Sequence, residues 1–392
     1  MSKILYLINQ PLDSRNYNRF GIQSWLDRGW EVEIWDITPL AYPSVWKNFL
    51  LGQHKLKNFS GYYPLDNLIQ LRDKIKKYKG IKFFIDLADT SLYSVCAIIG
   101  LKLRGFVRII HATGTIPPYE NTFSVKLRAR QALQRGCKEL LVWLFGKLLQ
   151  LTLSQFLRPG IGVAAGSESI KYVGCAKKVI YAHNLDYDDY LKIKKDISTE
   201  SGYGIIFIDQ NYCFHPDFYY HGLPSPVSPE KYFPAVCHAL KSISKSLNTK
   251  VCVALHPRSA HRNLPNKEFR DIETKREMTG QLIKACQLVV AHDSTAVQMA
   301  VLFRKPIIFI STDELEKSEI LLGYCKTLAK SLGKSPINID KNHDQIDWKK
   351  EIDIDNEKYT SFSNKYIKID GTPERSSWDI LIDHINLTLV RQ

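Results

Sequence analysis

Residues 288–311 read LVVAHDSTAVQMAVLFRKPIIFIS. Two apolar runs, LVVAH at 288–292 and PIIFIS at 306–311, bracket a stretch with helical spacing from 294 to 303. That stretch opens on Asp293-Ser294-Thr295, residue types that favour a helix start. Strand, helix and strand in so short a span argue for a parallel sheet covered by helices. Upstream the same alternation continues. IIFID (205–209) and VCVAL (251–255) read as buried strands, with helices over 230–246 and 277–286.

The first half repeats the pattern. KILYLIN (3–9), EVEIWDI (31–37), IKFFIDLAD (81–89), VRIIHA (107–112), IGVAAGS (161–167) and KVIYAH (178–183) read as strands, with helices over 17–28 and 91–103. The polar stretch DYDDYLKIKKDISTESGYG (186–204) reads as the linker. The expected class is therefore α/β: two Rossmann-like, doubly wound domains, 1–192 and 203–365, facing a central cleft. Ligands of such sheets bind beyond the carboxyl ends of the strands. The amphipathic segment WDILIDHINLTL, within 366–392, is expected to return to the first domain.

At 392 residues, with 44% hydrophobic and 24% charged side chains, the chain is neither disordered nor fibrous and has room for two domains. Its net charge of +14 favours an anionic partner. The surplus is uneven: residues 1–192 hold 27 basic and 15 acidic side chains, residues 193–392 hold 27 and 25. Ten basic and two acidic residues fall between 101 and 158, around the apolar run LLVWLFGKLLQLTLSQFL at 140–157. Lys147, Gln150, Ser154 and Gln155 interrupt that run, so a spanning helix is not expected. A basic stretch carrying Arg128, Arg130 and Arg135 and leading into such a helix is the composition of a segment lying on an anionic membrane surface.

MSKILYLIN lacks a cleavage site and reads as a strand, not a signal peptide. The eight cysteines form no C-x-x-C pair, which suits a reducing compartment and argues against a disulfide framework or zinc site. A cytoplasmic protein peripheral at the inner face of the membrane is the resulting expectation. No nucleic-acid-binding module is visible, and the basic residues interleave with apolar ones, so nucleic acid is not the expected partner.

The chemistry concentrates in the second half. His256-Pro257-Arg258 directly follows the 251–255 strand, and Ser294 and Thr295 open a helix after the 288–292 strand. Together they read as a phosphate site without a glycine loop: imidazole, guanidinium, hydroxyls and a helix start around one anion. Asp209 and Gln210 leave the 205–209 strand and are expected to face the cleft. His215-Pro216 reads as a turn, and Glu374 as a contact to a nucleotide ribose. An acceptor hydroxyl needs a base, and the candidates at strand ends are Asp13, Asp89 and His111. Arg15 and Arg19 beside Asp13 would hold an acidic acceptor or keep Asp13 ionised.

HPRS at 256–259, followed by HDSTAVQMAVLFRKPIIF at 292–309, resembles the donor-binding half of GT-B glycosyltransferases of bacterial surface-polysaccharide synthesis. It is most similar to the sialyltransferase-like and Kdo-transferase-like enzymes that use CMP-activated acidic sugars. The resemblance covers about residues 203–311. It implies that His256 and Arg258 contact the donor phosphate, with Ser294 and Thr295 beside it. The implied donor is a nucleotide-sugar substrate, with no further cofactor and no metal, and the implied acceptor a surface glycan or lipid-linked glycan. CDP-glycerol glycerophosphotransferases share a similar pattern and stand as one alternative; a non-enzymatic nucleic-acid-binding protein, suggested by the net charge alone, stands as the other. The acidic-acidic-Gly motif of sialyltransferases is missing from the first half, so the resemblance assigns no base.

Overall fold

The computed structural model describes residues 2–390 apart from 53–54, 90, 113, 119–128, 130–132, 134–135, 197–201, 221–223, 260–267 and 342–345. Its described residues form two parallel sheets. The first contains β1 (Lys3–Ile8), β2 (Glu31–Asp36), β3 (Tyr62–Pro64), β4 (Phe83–Asp86), β5 (Val107–His111), β6 (Ile161–Ala164) and β7 (Lys178–Tyr181), in the order β3-β2-β1-β4-β5-β6-β7. The second contains β8 (Ile205–Ile208), β9 (Val251–Ala254), β10 (Glu273–Lys275), β11 (Leu288–Ala291), β12 (Ile307–Ser311) and β13 (Ile337–Asn338), in the order β10-β9-β8-β11-β12-β13.

Both orders reverse direction once, between β1 and β4 and between β8 and β11. These are the switch points at which doubly wound sheets open a crevice. Apolar side chains alternate between two buried faces. Ile4, Tyr6 and Ile8 join one core of the first sheet while Leu5 and Leu7 join the other. Ile206 and Ile208 likewise oppose Ile205 and Phe207 in the second. Burial on both faces explains why the central strands are continuous apolar runs. The two-domain α/β architecture expected from the alternation is the one observed.

Local differences have local causes. The segment expected as one helix over 17–28 is two, Ser14–Arg19 and Ile22–Leu26, broken at Gly21. Gly21 has φ +63°, and the Trp378 ring lies 2.2 Å from where a Cβ would stand. Only glycine fits that position. Residues 186–195, expected within a linker, belong to the helix Leu185–Lys195. Asn184 caps it, Asp186 and Asp188 occupy its first turn, and Lys192, Lys194 and Lys195 its last. That charge order complements the helix dipole and is a helix signal as much as a linker signal.

The helix expected from 294 is regular only over Val297–Leu302. Ser294 Oγ instead accepts the nearby N–H of Ala296 at 3.2 Å, a local turn that competes with the first helical turn. The long apolar run splits into Cys137–Thr152 and Ser154–Leu157. The last helix, Ser377–Val390, inserts Trp378, Leu381, Ile382 and Ile385 into the core of the first domain.

The halves meet through specific bonds. Gln298, fully buried, donates to the Thr115 carbonyl at 3.1 Å and accepts from the Asn184 amide. Asp188 accepts the backbone N–H of Ser377 at 2.9 Å, and Tyr187 donates to Glu374 at 3.0 Å.

Candidate functional site

Three exit loops crowd the switch point of the second sheet. Asp209, at the end of β8, accepts backbone N–H bonds from Asn211 at 2.8 Å and from His256 at 3.4 Å, which ties the β8 loop to the β9 loop. Asp293, after β11, accepts from the Tyr212 hydroxyl and from Gln210 Nε2 at 3.4 Å, which ties the β8 loop to the β11 loop. The loops that carry His256, Arg258, Gln210 and Ser294 thus lie side by side at one edge of the second sheet. Asp209 corrects its expectation: it is buried, desolvation raises its carboxyl to about 6, and it orders two loops instead of facing a ligand.

The two His-Pro turns are structurally paired. His256 Nδ1 accepts the backbone N–H of Arg258 at 3.2 Å, and His215 Nδ1 accepts that of Asp217 at 3.2 Å. In each neutral ring the proton therefore sits on Nε2, and among the described residues neither Nε2 has a hydrogen-bond partner. The rings pack edge to face with centroids 4.7 Å apart. Desolvation, followed by His215, Arg258 and Arg15, lowers His256 to about 3; desolvation also lowers His215. Both are neutral donors near pH 7. A neutral Nε2–H suits an anion's oxygen and leaves the ring unable to act as a base at that nitrogen.

Arg258 Nη1 donates to Asp217 Oδ1 at 2.6 Å, locking the two turns together. His215-Pro216, expected as a turn, instead stands at the opening of the helix Pro216–Tyr220, and it belongs to this cluster. His215 and Asp217 are the residues that sequence reasoning passed over. The repeated dipeptide, His-Pro-Asp and His-Pro-Arg after two adjacent strands, was the available signal. The helix Pro216–Tyr220 that follows packs against Pro43–Leu51 of the first domain, so this cluster lies on the cleft.

Ser294 is buried and its hydroxyl serves the turn to Ala296. Thr295 is half-buried, and its carbonyl accepts the N–H of Gln298 at 3.0 Å. Both stand before a six-residue helix whose second side chain, Gln298, is plugged into the first domain, so the helix start is less open than expected. Glu374 lies at the joint of the halves, bonded to Tyr187 and 3.8 Å from Lys368 Nζ.

The base candidates separate. Asp13 caps its helix, its Oδ1 accepting from Asn16 N at 2.7 Å. His111 is buried against the Trp378 ring, centroids 4.8 Å apart, and desolvation holds it near 3. A base that weak is poorly matched to an acceptor hydroxyl. Asp89 leaves β4 at the first switch point with an exposed carboxylate that takes the Tyr42 hydroxyl at 2.9 Å and the Asn9 amide. It does not cap the next helix; Ser91 does, in a reciprocal pair with Ser94. Among the described residues no group of three or more His, Cys, Asp or Glu is placed to hold a metal.

No family model and no curated protein matches the sequence. Solved structures do. One is the complex of MnaA from S. aureus with UDP: 12% identity, 99% of this chain, 97% of that chain, TM-score 0.51. Another is described as a UDP-N-acetylglucosamine 2-epimerase from Listeria monocytogenes: 9%, 100% and 97%, TM-score 0.52. A third is a variant of the wall teichoic acid polymerase TagF soaked with CDPG: 12%, 99% and 90%, TM-score 0.50. At such identities the likeness establishes the two-domain GT-B architecture.

Proposed function

We propose that this protein is a glycosyltransferase that takes a sugar from a nucleotide-activated donor, a CMP-activated acidic sugar in first place, and passes it to a surface glycan or lipid-linked acceptor. The observation that carries the reading is the pair of Nε2–H donors, His215 and His256, held at the β8/β9 loops beside a crevice-forming switch point. A leaving nucleotide develops phosphate charge, and preorganised donors stabilise charge where it forms. Arg258, Ser294, Thr295, Gln210 and Glu374 complete the donor side. Asp89, at the matching switch point of the first sheet, is assigned as the base that takes the acceptor proton, with Asp13 the next in line. The similar structures include one with UDP and one soaked with CDPG, which sets the range of nucleotides to be tried.

The acceptor side of the reading includes an anionic membrane surface. Leu141, Leu144, Phe145, Leu148 and Leu151 form an exposed stripe on Cys137–Thr152, each at least 45% accessible. Lys138 and Lys147 sit on the same helix; Arg128, Arg130 and Arg135 lie outside the described residues. Among the described residues no helix is long and apolar enough to cross a membrane. A stripe of this kind suits a helix lying in the interface.

The test is nucleotide release from a panel of CMP-, CDP- and UDP-sugars together with CDP-glycerol, with and without acceptor glycans. The reading expects turnover of at least one sugar donor, lost in His256→Ala and in Asp89→Asn. Release from CDP-glycerol alone would move the reaction to phosphorus, and an inert panel from a folded protein would end the proposal.

A further inference from the structure

An exposed aspartate turns readily about its last side-chain bond, but Asp89 is held from two other loops. Asn9, leaving β1, and Asp89, leaving β4, form a reciprocal pair. The Asn9 amide donates to Asp89 Oδ1, and the Asp89 backbone N–H donates to Asn9 Oδ1 at 3.2 Å. The Tyr42 hydroxyl reaches the same carboxylate from the segment after β2, 2.9 Å from Oδ1 and 2.9 Å from Oδ2. Asn9 fixes one oxygen, and a donor equidistant from both fixes the plane of the group.

Tyr42 itself stands on a rigid stem. Its N–H donates to the Thr38 carbonyl at 2.8 Å and closes the short helix Thr38–Ala41. Its carbonyl accepts the N–H of Trp46 at 3.0 Å and opens Pro43–Leu51. Pro43 fills the first helical position, where its ring presets the backbone. Thr38 is buried, and its N–H is taken by Asp36 Oδ1 at 2.8 Å. The other end of the arrangement is the donor side. Pro43–Leu51 packs on Pro216–Tyr220, the helix that follows His215 and carries Asp217, the partner of Arg258.

We infer that Tyr42 is a positioning residue for Asp89. With Asn9 it holds the carboxylate in the orientation that meets the acceptor hydroxyl, and the packing of Pro43–Leu51 on Pro216–Tyr220 registers that carboxylate against the donor loops. This rests on the assignment of Asp89 as the base of glycosyl transfer. In that step the acceptor O–H gives its proton to Asp89 while the oxygen bonds to the anomeric carbon of the donor. The bond from that carbon to the phosphate oxygen breaks, and its electron pair leaves with the nucleotide. Tyr42 keeps its own proton throughout. It and Asn9 are neutral, so removing either changes the geometry and hydrogen bonding of the base without changing net charge.

The test is steady-state kinetics of the full chain between about pH 5 and 9, with the donor and acceptor that the nucleotide-release panel identifies. Wild type, Tyr42→Phe, Asn9→Ala and Asp89→Asn are compared, and thermal melts confirm that each is folded. Tyr42→Phe keeps the ring and loses only the hydroxyl. Its kcat is expected to fall about ten-fold or more, with the KM for the donor held within about two-fold. The acidic limb of its profile is expected to move up by about one unit, because a carboxylate that loses a donor holds its proton more tightly. Asn9→Ala is expected to move both in the same direction. A lower kcat with the limb unmoved would mark a packing role and overturn the inference. Wild-type kcat in folded Tyr42→Phe, beside an inactive Asp89→Asn, would also overturn it while leaving the base assignment intact. Full activity in Asp89→Asn, or a wild type that turns over no donor, would overturn the underlying reading and the inference with it.

Discussion

Asp217 and Arg258, 41 residues apart in sequence, meet at 2.6 Å, and each is the third residue of a His-Pro turn. The contact sets two imidazoles side by side on the cleft and uses up the charge of both partners. With one carboxylate half exposed, such a pair contributes only about 0–1 kcal/mol to stability. Asp217→Asn is therefore expected to leave the melting temperature nearly unchanged. It also frees Arg258 beside the phosphate position, so nucleotide affinity is expected to hold or rise. A loss of affinity in titration calorimetry would show that Asp217 itself receives the ligand.

His111 and His292 are both buried neutral, near 3 and 4, with desolvation as the leading cause. Unfolded histidine titrates near 6.5. Between those values the unfolded chain takes up protons that the folded chain refuses. The stability these groups allow is full above about pH 6.5 and falls as the pH drops toward 4, by up to about 1.4 kcal/mol per unit for each group. His111→Phe keeps the stack on Trp378 and removes one of these sites. Its melting temperature is expected to match or exceed the wild type at pH 7.5, and its advantage to widen by about 1–2 °C per unit as the pH is lowered to 5. Turnover is expected to survive the change, because the base is assigned to Asp89.

Gly146 seats the helix Cys137–Thr152 on the start of Leu92–Leu103. A Cβ there would stand 2.6 Å from Leu92 N and from the Ser91 carbonyl carbon, both rigid backbone. Gly146→Ala should push the helix outward and lower stability by about 1–3 kcal/mol despite its better helix propensity. A chemical-denaturation midpoint at or above the wild type would contradict that packing.

On the outer side of the same helix, Leu144 and Leu148 are 45% and 56% accessible. Leu144→Glu with Leu148→Glu should leave the melt unchanged. It should also cut sedimentation with vesicles of anionic phospholipid by more than ten-fold, since each inserted leucine is worth about 1.5–3 kcal/mol. Charge reversal at Arg128, Arg130 and Arg135 is expected to weaken binding most at low salt. Unchanged sedimentation in both variants would remove the membrane from the account.

The central strands were legible because burial on both faces leaves runs such as ILYLI and IIFI. The edge strands Tyr62–Pro64, Glu273–Lys275 and Ile337–Asn338 were not. They are two or three residues long, partly exposed, and exist because a neighbouring strand offers its hydrogen bonds. His256 and Gln210 were placed correctly at strand exits by local motif. The partnership of Asp217 with Arg258 was hidden, since only the adjacency of β8 and β9 brings those turns together. Asp209 misled because a buried carboxylate that organises loops carries the same signature as one that faces a ligand.

The most direct measurement is a crystal structure of the full chain with the nucleotide that binds most tightly. The account predicts a phosphate oxygen within about 3 Å of His256 Nε2, on the wall formed by the β8, β9 and β11 exits. A nucleotide seated elsewhere, with His215 and His256 facing solvent, would contradict it.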